Sequence, residues 1–425
     1  MKILYIHQYF TTRDGALGTR SYEFAKYFVQ KGHQVTVLTG DAYLPAMEGE
    51  KAGWFTRTCT VDGIRIIAVK NAYSNYMGFL RRVLAFFAFV FFSTWITLFL
   101  KRHDLVFATS TPLTVAITAL LMKKLRGIPF VFEVRDLWPE APIQMGVIRS
   151  KHIIGLLRWL ERTTYREAVQ VVGLSPGMVA GILDTGIPEE KVSMIPNCCD
   201  LELFDPTNTT LQESSAALRR YLSLEGKLVV LHGGAMGVAN GLDFIIHAAS
   251  LLQQQGDNEI CFVLAGDGKT RPELEEMCRE RGLTNIIFAG AIPRKEMPLY
   301  LAMSDLTITS FRPLPILATN SPNKFFDSLA AGKPVIVNAA GWTKEIVESY
   351  RVGFYVDPYQ PESLAGLLLA IKSDKERLRD MGTRARRLAE EKYDRIKLAS
   401  QMEDILTKAW TQAQTATSRG RVWAK

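Results

Sequence analysis

Four stretches hold residues whose types and spacing could do chemistry. Ser321-Pro322-Asn323-Lys324 runs into Phe-Phe-Asp327 and then Gly332-Lys-Pro334. Pro322 and Asn323 open a helix, whose free N–H groups and dipole favour an anion. Lys324 stands in its first turn and Asp327 one turn on, so the two face the same way. Such a helix suits a nucleoside diphosphate, with phosphates on the N–H groups and Lys324 and ribose hydroxyls on Asp327. It equally suits a capped surface helix with a Lys–Asp pair. The string Gly233-Gly234-Ala-Met-Gly237 follows an apolar run and makes a backbone-lined nest that can hold a diphosphate. Arg135-Asp136 leaves the end of an apolar run, VFEV. A charged pair there is costly unless paired or used: it is either a structural ion pair, or Asp136 orients or deprotonates a substrate hydroxyl with Arg135 and Glu133 as charge support. His7 ends the first apolar run, and a lone histidine there is either a core residue or a ligand contact.

These residues need a scaffold that gathers strand ends. KILYIHQYF, a glycine-containing loop, a helix and HQVTVLTG begin an alternation of apolar strands and helices. Strand–helix repetition with continuous apolar strands means parallel sheets covered on both faces. A polar stretch near 205–218 interrupts it, and the pattern restarts at LVVLHGG. The expectation is an α/β chain of two Rossmann-like, doubly wound domains facing a cleft, residues 1–205 and 206–425, with long helices over 373–391 and 396–412. Ligands of such sheets sit outside the carboxyl ends of strands, where all four stretches fall. Gly15-Ala-Leu-Gly18 follows the first strand, with Thr19 as the expected cap of the next helix. Two glycines are too few for a dinucleotide fingerprint, and no acid ends the second strand, which disfavours NAD.

The strings IPN at 195–197 with Asp200, LAGDG at 264–268, FAGAIP at 288–293, SDLTITSF and SPNKFFDSLAAGKPVI come in one order. Together they resemble the retaining GT-B glycosyltransferases of family four. VFEVRDLWPE and LHGGAMGVANGLD resemble the branch that builds O-antigen, capsule and colanic-acid polysaccharides. The resemblance implies a GT-B fold, a nucleotide-sugar donor (most simply UDP-linked) and a donor site that includes Asn197, Gly234, Gly237, Asn323, Lys324 and Asp327. It also implies that Gly15 and Gly18 border the diphosphate and the acceptor. Three departures matter. Asp327 replaces the second motif Glu, and Thr319 stands where the first should be. The family's Arg and Lys are absent from the glycine loop, leaving Lys324 and Lys269 as counter-charges. Cys198 replaces a usual Gly, which leaves that turn open.

The chain has 425 residues, 48% hydrophobic and 22% charged, which excludes a disordered protein. Five cysteines without C-x-x-C spacing imply free thiols in a reducing compartment. The first 200 residues hold 23 Lys and Arg against 16 acids, the remainder 28 against 27, so the basic field lies in the first half. No zinc-finger or RNA-binding string accompanies it, and no nucleic acid is expected. Residues 83–100 are uncharged and mostly apolar between Arg81-Arg82 and Lys101-Arg102. Strands of one sheet on either side argue against spanning. A helix near 79–102 lying in the bilayer interface, or buried in the core, fits instead. No Asp-x-Asp string implies a metal, and no cofactor is expected. The expectation is a metal-independent retaining hexosyl or N-acetylhexosaminyl transferase, peripheral on the inner face of the cell membrane, with a polyprenyl-diphosphate-linked saccharide as acceptor. An epimerase or an inactive partner protein on the same scaffold are the rivals.

Overall fold

The computed structural model describes residues 1–15, 18–71, 73 and 77–422. The chain divides into two compact units, Met1–Pro196 with the stretch from Arg395 onward, and Asn197–Asp394.

In the first unit the order is β1 (Lys2–Ile6), α1 (Arg20–Gln30), β2 (Gln34–Gly40), β3 (Lys51–Ala52), β4 (Thr56–Val61) and β5 (Ile64–Val69). Then come α2 (Phe79–Phe99), β6 (Leu105–Thr109), α3 (Val115–Arg126), β7 (Phe130–Val134), α4 (Glu140–Gln144) and α5 (Lys151–Glu167). β8 (Gln170–Gly173), α6 (Pro176–Leu183) and β9 (Val192–Met194) finish the sheet. The sheet order is β3-β4-β5-β2-β1-β6-β7-β8-β9. From β5 to β9 every pairing is parallel. β6 and β7, LVFAT and FVFEV, are buried at every position, as strands covered on both faces must be. The antiparallel β4–β5 hairpin turns at Asp62-Gly63, both at positive φ, the dipeptide this turn demands.

The second unit holds α7 (Thr209–Tyr221), β10 (Leu228–Gly233), α8 (Asp243–Gln254), β11 (Ile260–Ala265), α9 (Arg271–Glu280) and β12 (Ile286–Gly290). It continues with α10 (Met297–Met303), β13 (Leu306–Thr309), α11 (Asn323–Ala330), β14 (Val335–Val337), α12 (Trp342–Ser349) and β15 (Gly353–Tyr355). α13 (Pro361–Ile371) and α14 (Lys375–Leu388) close it. Its parallel sheet runs β12-β11-β10-β13-β14-β15. Both sheets thus contain the doubly wound order, with switch points between β1 and β6 and between β10 and β13.

Two boundaries differ from the expectation. The polar stretch near 205–218 is not a linker. Asn208 caps α7, its side chain accepting from Leu211 N at 3.1 Å, and α7 packs on α10. The divide instead falls after Pro196. The chain's last helix, α15 (Arg395–Val422), belongs to the first unit, not the second. It lies on α1, burying Leu398, Met402 and Leu406, with His33 Nε2 2.8 Å from Glu403 Oε1. A polar pattern marks solvent exposure, not a domain edge.

α2 is neither fully buried nor free. Phe86, Phe89 and Val90 face inward, and Ser93 Oγ meets Thr118 Oγ1 of α3 at 2.8 Å. The opposite stripe, Leu80, Leu84, Phe87, Phe91, Trp95 and Phe99, is exposed, up to 75% at Leu80. α2 is long and apolar enough to cross a membrane by length and composition alone.

Candidate functional site

In the second unit the site forms where β10 and β13 part. The loop after β10 lies directly on the loop after β11: Gly234 N donates to Ala265 O at 2.8 Å and Met236 N to Asp267 O at 2.9 Å. A Cβ on Gly266 would come within 1.8 Å of Gly234 O, so only glycine permits this approach. Gly234 adopts φ +138°, with Lys324 Cε 3.5 Å from where a Cβ would stand. Gly237 precedes the short turn that carries Asn240.

α11 brings the charge to this loop. Phe325, Phe326 and Leu329 are fully buried beneath it, each contributing about 1.5–3 kcal/mol and fixing its orientation. Asn323 is its first residue, after Pro322. Lys324 Nζ donates to Asn240 Oδ1 at 2.8 Å and sits 3.5 Å from His232 Nε2. Burial pushes the Lys324 ammonium down to about 7. Burial, and then Lys324, holds His232 well below the ordinary histidine range, so it stays neutral and can accept.

Asp327 behaves differently from expectation. It makes no pair with Lys324. Both of its oxygens are taken by the fork of Arg294, Nη1 to Oδ2 and Nη2 to Oδ1, each at 3.0 Å. The arginine stays charged there, its affinity for the proton raised by Asp327 against the cost of burial. Asn197 clips the segment before α11: its N–H donates to Ser321 Oγ at 3.2 Å and its Nδ2 to Ser321 O. Cys198 keeps a negative φ, so that turn needs no glycine. Thr319 donates to Ile316 O at 2.7 Å within its own turn. Lys269 lies exposed beyond Gly268.

In the first unit the residues cluster at the ends of β1, β6 and β7. Glu133 does not support Asp136, because strand alternation turns it into the interior. There it accepts from Arg20 Nη2 at 2.9 Å and Thr109 Oγ1 at 2.7 Å, an ion pair with both side chains at most 1% exposed. Arg20 also donates to the carbonyls of Ile195 and Pro196. Asp136 accepts from Thr111 Oγ1 at 2.7 Å, and burial raises its carboxyl above the ordinary range against that bond and Arg135. Arg135 Nη1 lies 3.4 Å from His7 Nε2, and burial, with Arg135 second, keeps His7 neutral. The structure therefore brings His7, Arg135 and Asp136 to the carboxyl ends of neighbouring interior strands of one sheet. Gly15 packs on Thr11, where a Cβ would meet Oγ1 at 1.8 Å, and Gly18 is half-buried before α1. Ala16 and Leu17 between them lie outside the described residues. Thr19 precedes α1 but gives it no side-chain cap.

Sequence reasoning missed Asn240, His232, Arg294 and Arg20. Arg294 directly follows the string FAGAIP, and Asn240 precedes Gly241 in what reads as an ordinary turn.

Residues 15–198 match the Glycosyl transferase 4-like domain and residues 215–388 the Glycosyl transferases group 1 family. The chain is 25% identical over 409 residues to the putative colanic acid biosynthesis glycosyl transferase WcaI of Escherichia coli K12, covering 93% of this chain and 97% of that protein. It is 25% identical over 301 residues to the probable glycosyltransferase WbjE of Pseudomonas aeruginosa, covering 69% and 73%. Among solved structures, Anabaena HepE in complex with UDP and glucose superposes with a TM-score of 0.70 at 19% identity, over 96% of this chain and 99% of that one. WaaG, a glycosyltransferase involved in lipopolysaccharide biosynthesis, gives 0.70 at 16% identity, over 95% and 99%. With both domains matched and the two doubly wound units in place, the chain belongs to the GT-B glycosyltransferases that join a 4-like domain to a group 1 domain.

Proposed function

We propose that this glycosyltransferase moves a sugar from a UDP-linked donor to a polyprenyl-diphosphate-linked saccharide in cell-surface polysaccharide synthesis. The observation that carries the donor half is the ammonium of Lys324, held by Asn240 beside the Gly234 turn and at the start of α11. Backbone N–H groups and a cation at one helix start stabilise the charge that builds on a leaving diphosphate. Asp327, kept in place by Arg294, meets the ribose hydroxyls through its remaining lone pairs. Gly237, Asn323 and Lys269 border the same nucleotide sugar in this reading, and Asn197 positions α11.

On the acceptor side, Asp136 orients the hydroxyl that attacks, with Arg135 and His7 beside it. Configuration is retained, by attack from the face the diphosphate leaves, and the diphosphate takes the hydroxyl proton. No enzyme carboxylate acts as nucleophile. The half-exposed α2 supports a peripheral seat on the inner face of the cell membrane: its outward stripe enters the interface while Arg81, Arg82, Lys101 and Arg102 meet anionic headgroups. The similarity to WcaI supports a role in polysaccharide synthesis. Purified protein given UDP-glucose, UDP-galactose or UDP-N-acetylglucosamine and membrane lipid extract should release UDP and label lipid-linked saccharide. Failure to release UDP from any donor would contradict the reading.

A further inference from the structure

The turn that follows β1 leaves buried hydrogen-bonding groups unmatched. Phe10 N approaches His7 O at 3.4 Å, so His7, Gln8, Tyr9 and Phe10 form a four-residue turn at the β1–β6 switch point. Gln8 is 3% exposed. Its main chain is tied to the end of β2, the carbonyl accepting from Gly40 N at 3.1 Å and Thr39 Oγ1 at 3.3 Å. Its side-chain amide has no such tie: among the described residues neither Nε2 nor Oε1 has a partner. His7 repeats the pattern at 4% exposure. Arg135 can only donate, so His7 Nε2 accepts and the neutral ring carries its proton on Nδ1, which has no partner among the described residues either. Folded chains match buried amides and imidazoles nearly always, and each exception calls for an explanation, of which a bound molecule that completes the set is one.

The surroundings indicate which molecule. Tyr9, Tyr43 and Tyr73 come from the segments after β1, β2 and β5, three strands with β2 between the other two. Their ring centroids lie 5.0 Å (Tyr9–Tyr73), 5.8 Å (Tyr9–Tyr43) and 6.0 Å (Tyr43–Tyr73) apart. Gln8 directly precedes Tyr9 in this turn, and an amide that both donates and accepts, on a segment that also carries aromatic rings, suits a saccharide, whose C–H faces pack on rings and whose neighbouring hydroxyls each need a donor and an acceptor. We propose that Gln8 is a specificity-determining residue of the acceptor subsite, its amide accepting from one ring hydroxyl and donating to the next. This rests on the transferase reading above. It adds the side chain that selects the acceptor sugar.

The test replaces the amide with an apolar side chain of similar length, Gln8→Leu. Methyl glycosides of glucose, galactose, mannose and N-acetylglucosamine serve as probes, followed by saturation-transfer NMR with UDP present. Wild type should prefer one glycoside, and Gln8→Leu should weaken that one roughly tenfold or more. The melting temperature should hold or rise, because an unmatched amide contributes nothing to folding. An unchanged glycoside ranking and affinity in Gln8→Leu, or no glycoside bound by wild type, would overturn the proposal. UDP binding by calorimetry separates the two levels. UDP bound equally by both proteins with unchanged glycoside binding removes only the role of Gln8, whereas no UDP bound by wild type removes the transferase reading itself. Should Gln8→Leu fail to fold, Gln8→Glu keeps the size and removes the donor. An altered glycoside ranking then supports the proposal and an unaltered one overturns it.

Discussion

Arg294 and Asp327 form a closed two-bond fork, Nη1 and Nη2 each 3.0 Å from a different carboxylate oxygen, with side chains 15% and 10% exposed. The fork ties the start of α10 to α11, and so the turn before α10 controls where the helix bearing Lys324 points. Removing one partner strands the other charge in the interior, which costs more than the pair itself contributes. Asp327→Ala should therefore lower stability by about 3–5 kcal/mol as well as weaken donor binding. Asp327→Asn, which keeps one acceptor for Arg294, should lose less. Denaturant melts of the two variants check this, and wild-type stability in both would show the fork to be incidental.

Lys324 gives a pH dependence with a definite sign. Burial holds its ammonium down to about 7, far below an ordinary lysine, so the charge is present below that pH and lost above it. A diphosphate needs the charged form. UDP-glucose affinity should therefore fall as pH rises from 6 to 9, by up to about tenfold per unit above the midpoint. Lys324→Gln should flatten this profile. A wild-type affinity constant across that range would contradict the placement of Lys324 at the phosphates.

Asp136 accepts from Thr111 and sits beside Arg135 at the end of β7. Asp136→Asn keeps the shape and removes the charge that orients the acceptor hydroxyl. Turnover should fall roughly 10²-fold, the loss typical of a misplaced reacting group, with donor KM within about twofold. Wild-type turnover in Asp136→Asn, measured by UDP release with acceptor present, would sink the assignment.

The outward stripe of α2 predicts a loss of vesicle binding that leaves the fold intact. Leu84→Ser, Phe87→Ser and Phe91→Ser together remove exposed apolar surface while Phe86, Phe89 and Val90 stay packed. The triple variant should sediment less with vesicles of mixed neutral and anionic lipid and should melt no lower than wild type. Full sedimentation would place the membrane contact elsewhere.

Much of this architecture is legible in the sequence, for reasons that particular residues show. Continuous apolar strands such as LVFAT and FVFEV can only be interior strands, and the loops after them can only be the functional edge. The segment from Asn323 to Gly332 carries its own punctuation, so α11 and its charges are readable. Partners that meet across the fold are not. Nothing local says that Arg294, beyond a turn, reaches Asp327, or that Asn240 anchors Lys324. Glu133 reads as one of three charges at a strand end, yet the two-residue period of the strand turns it inward to Arg20. The domain edge at Pro196 is hidden for a related reason: the polar stretch near 205–218 is the exposed face of α7, inside the second unit, and only tertiary packing assigns α15 to the first.

The central claim is that Lys324 and the start of α11 grip the diphosphate of a nucleotide sugar. Calorimetric titration of wild type and Lys324→Gln with UDP tests it most directly. Saturable binding by wild type, weakened roughly 10- to 150-fold in Lys324→Gln as expected for losing a charge-assisted contact of about 1.5–3 kcal/mol, is the predicted result. Equal binding by the two proteins, or none by wild type, would contradict it.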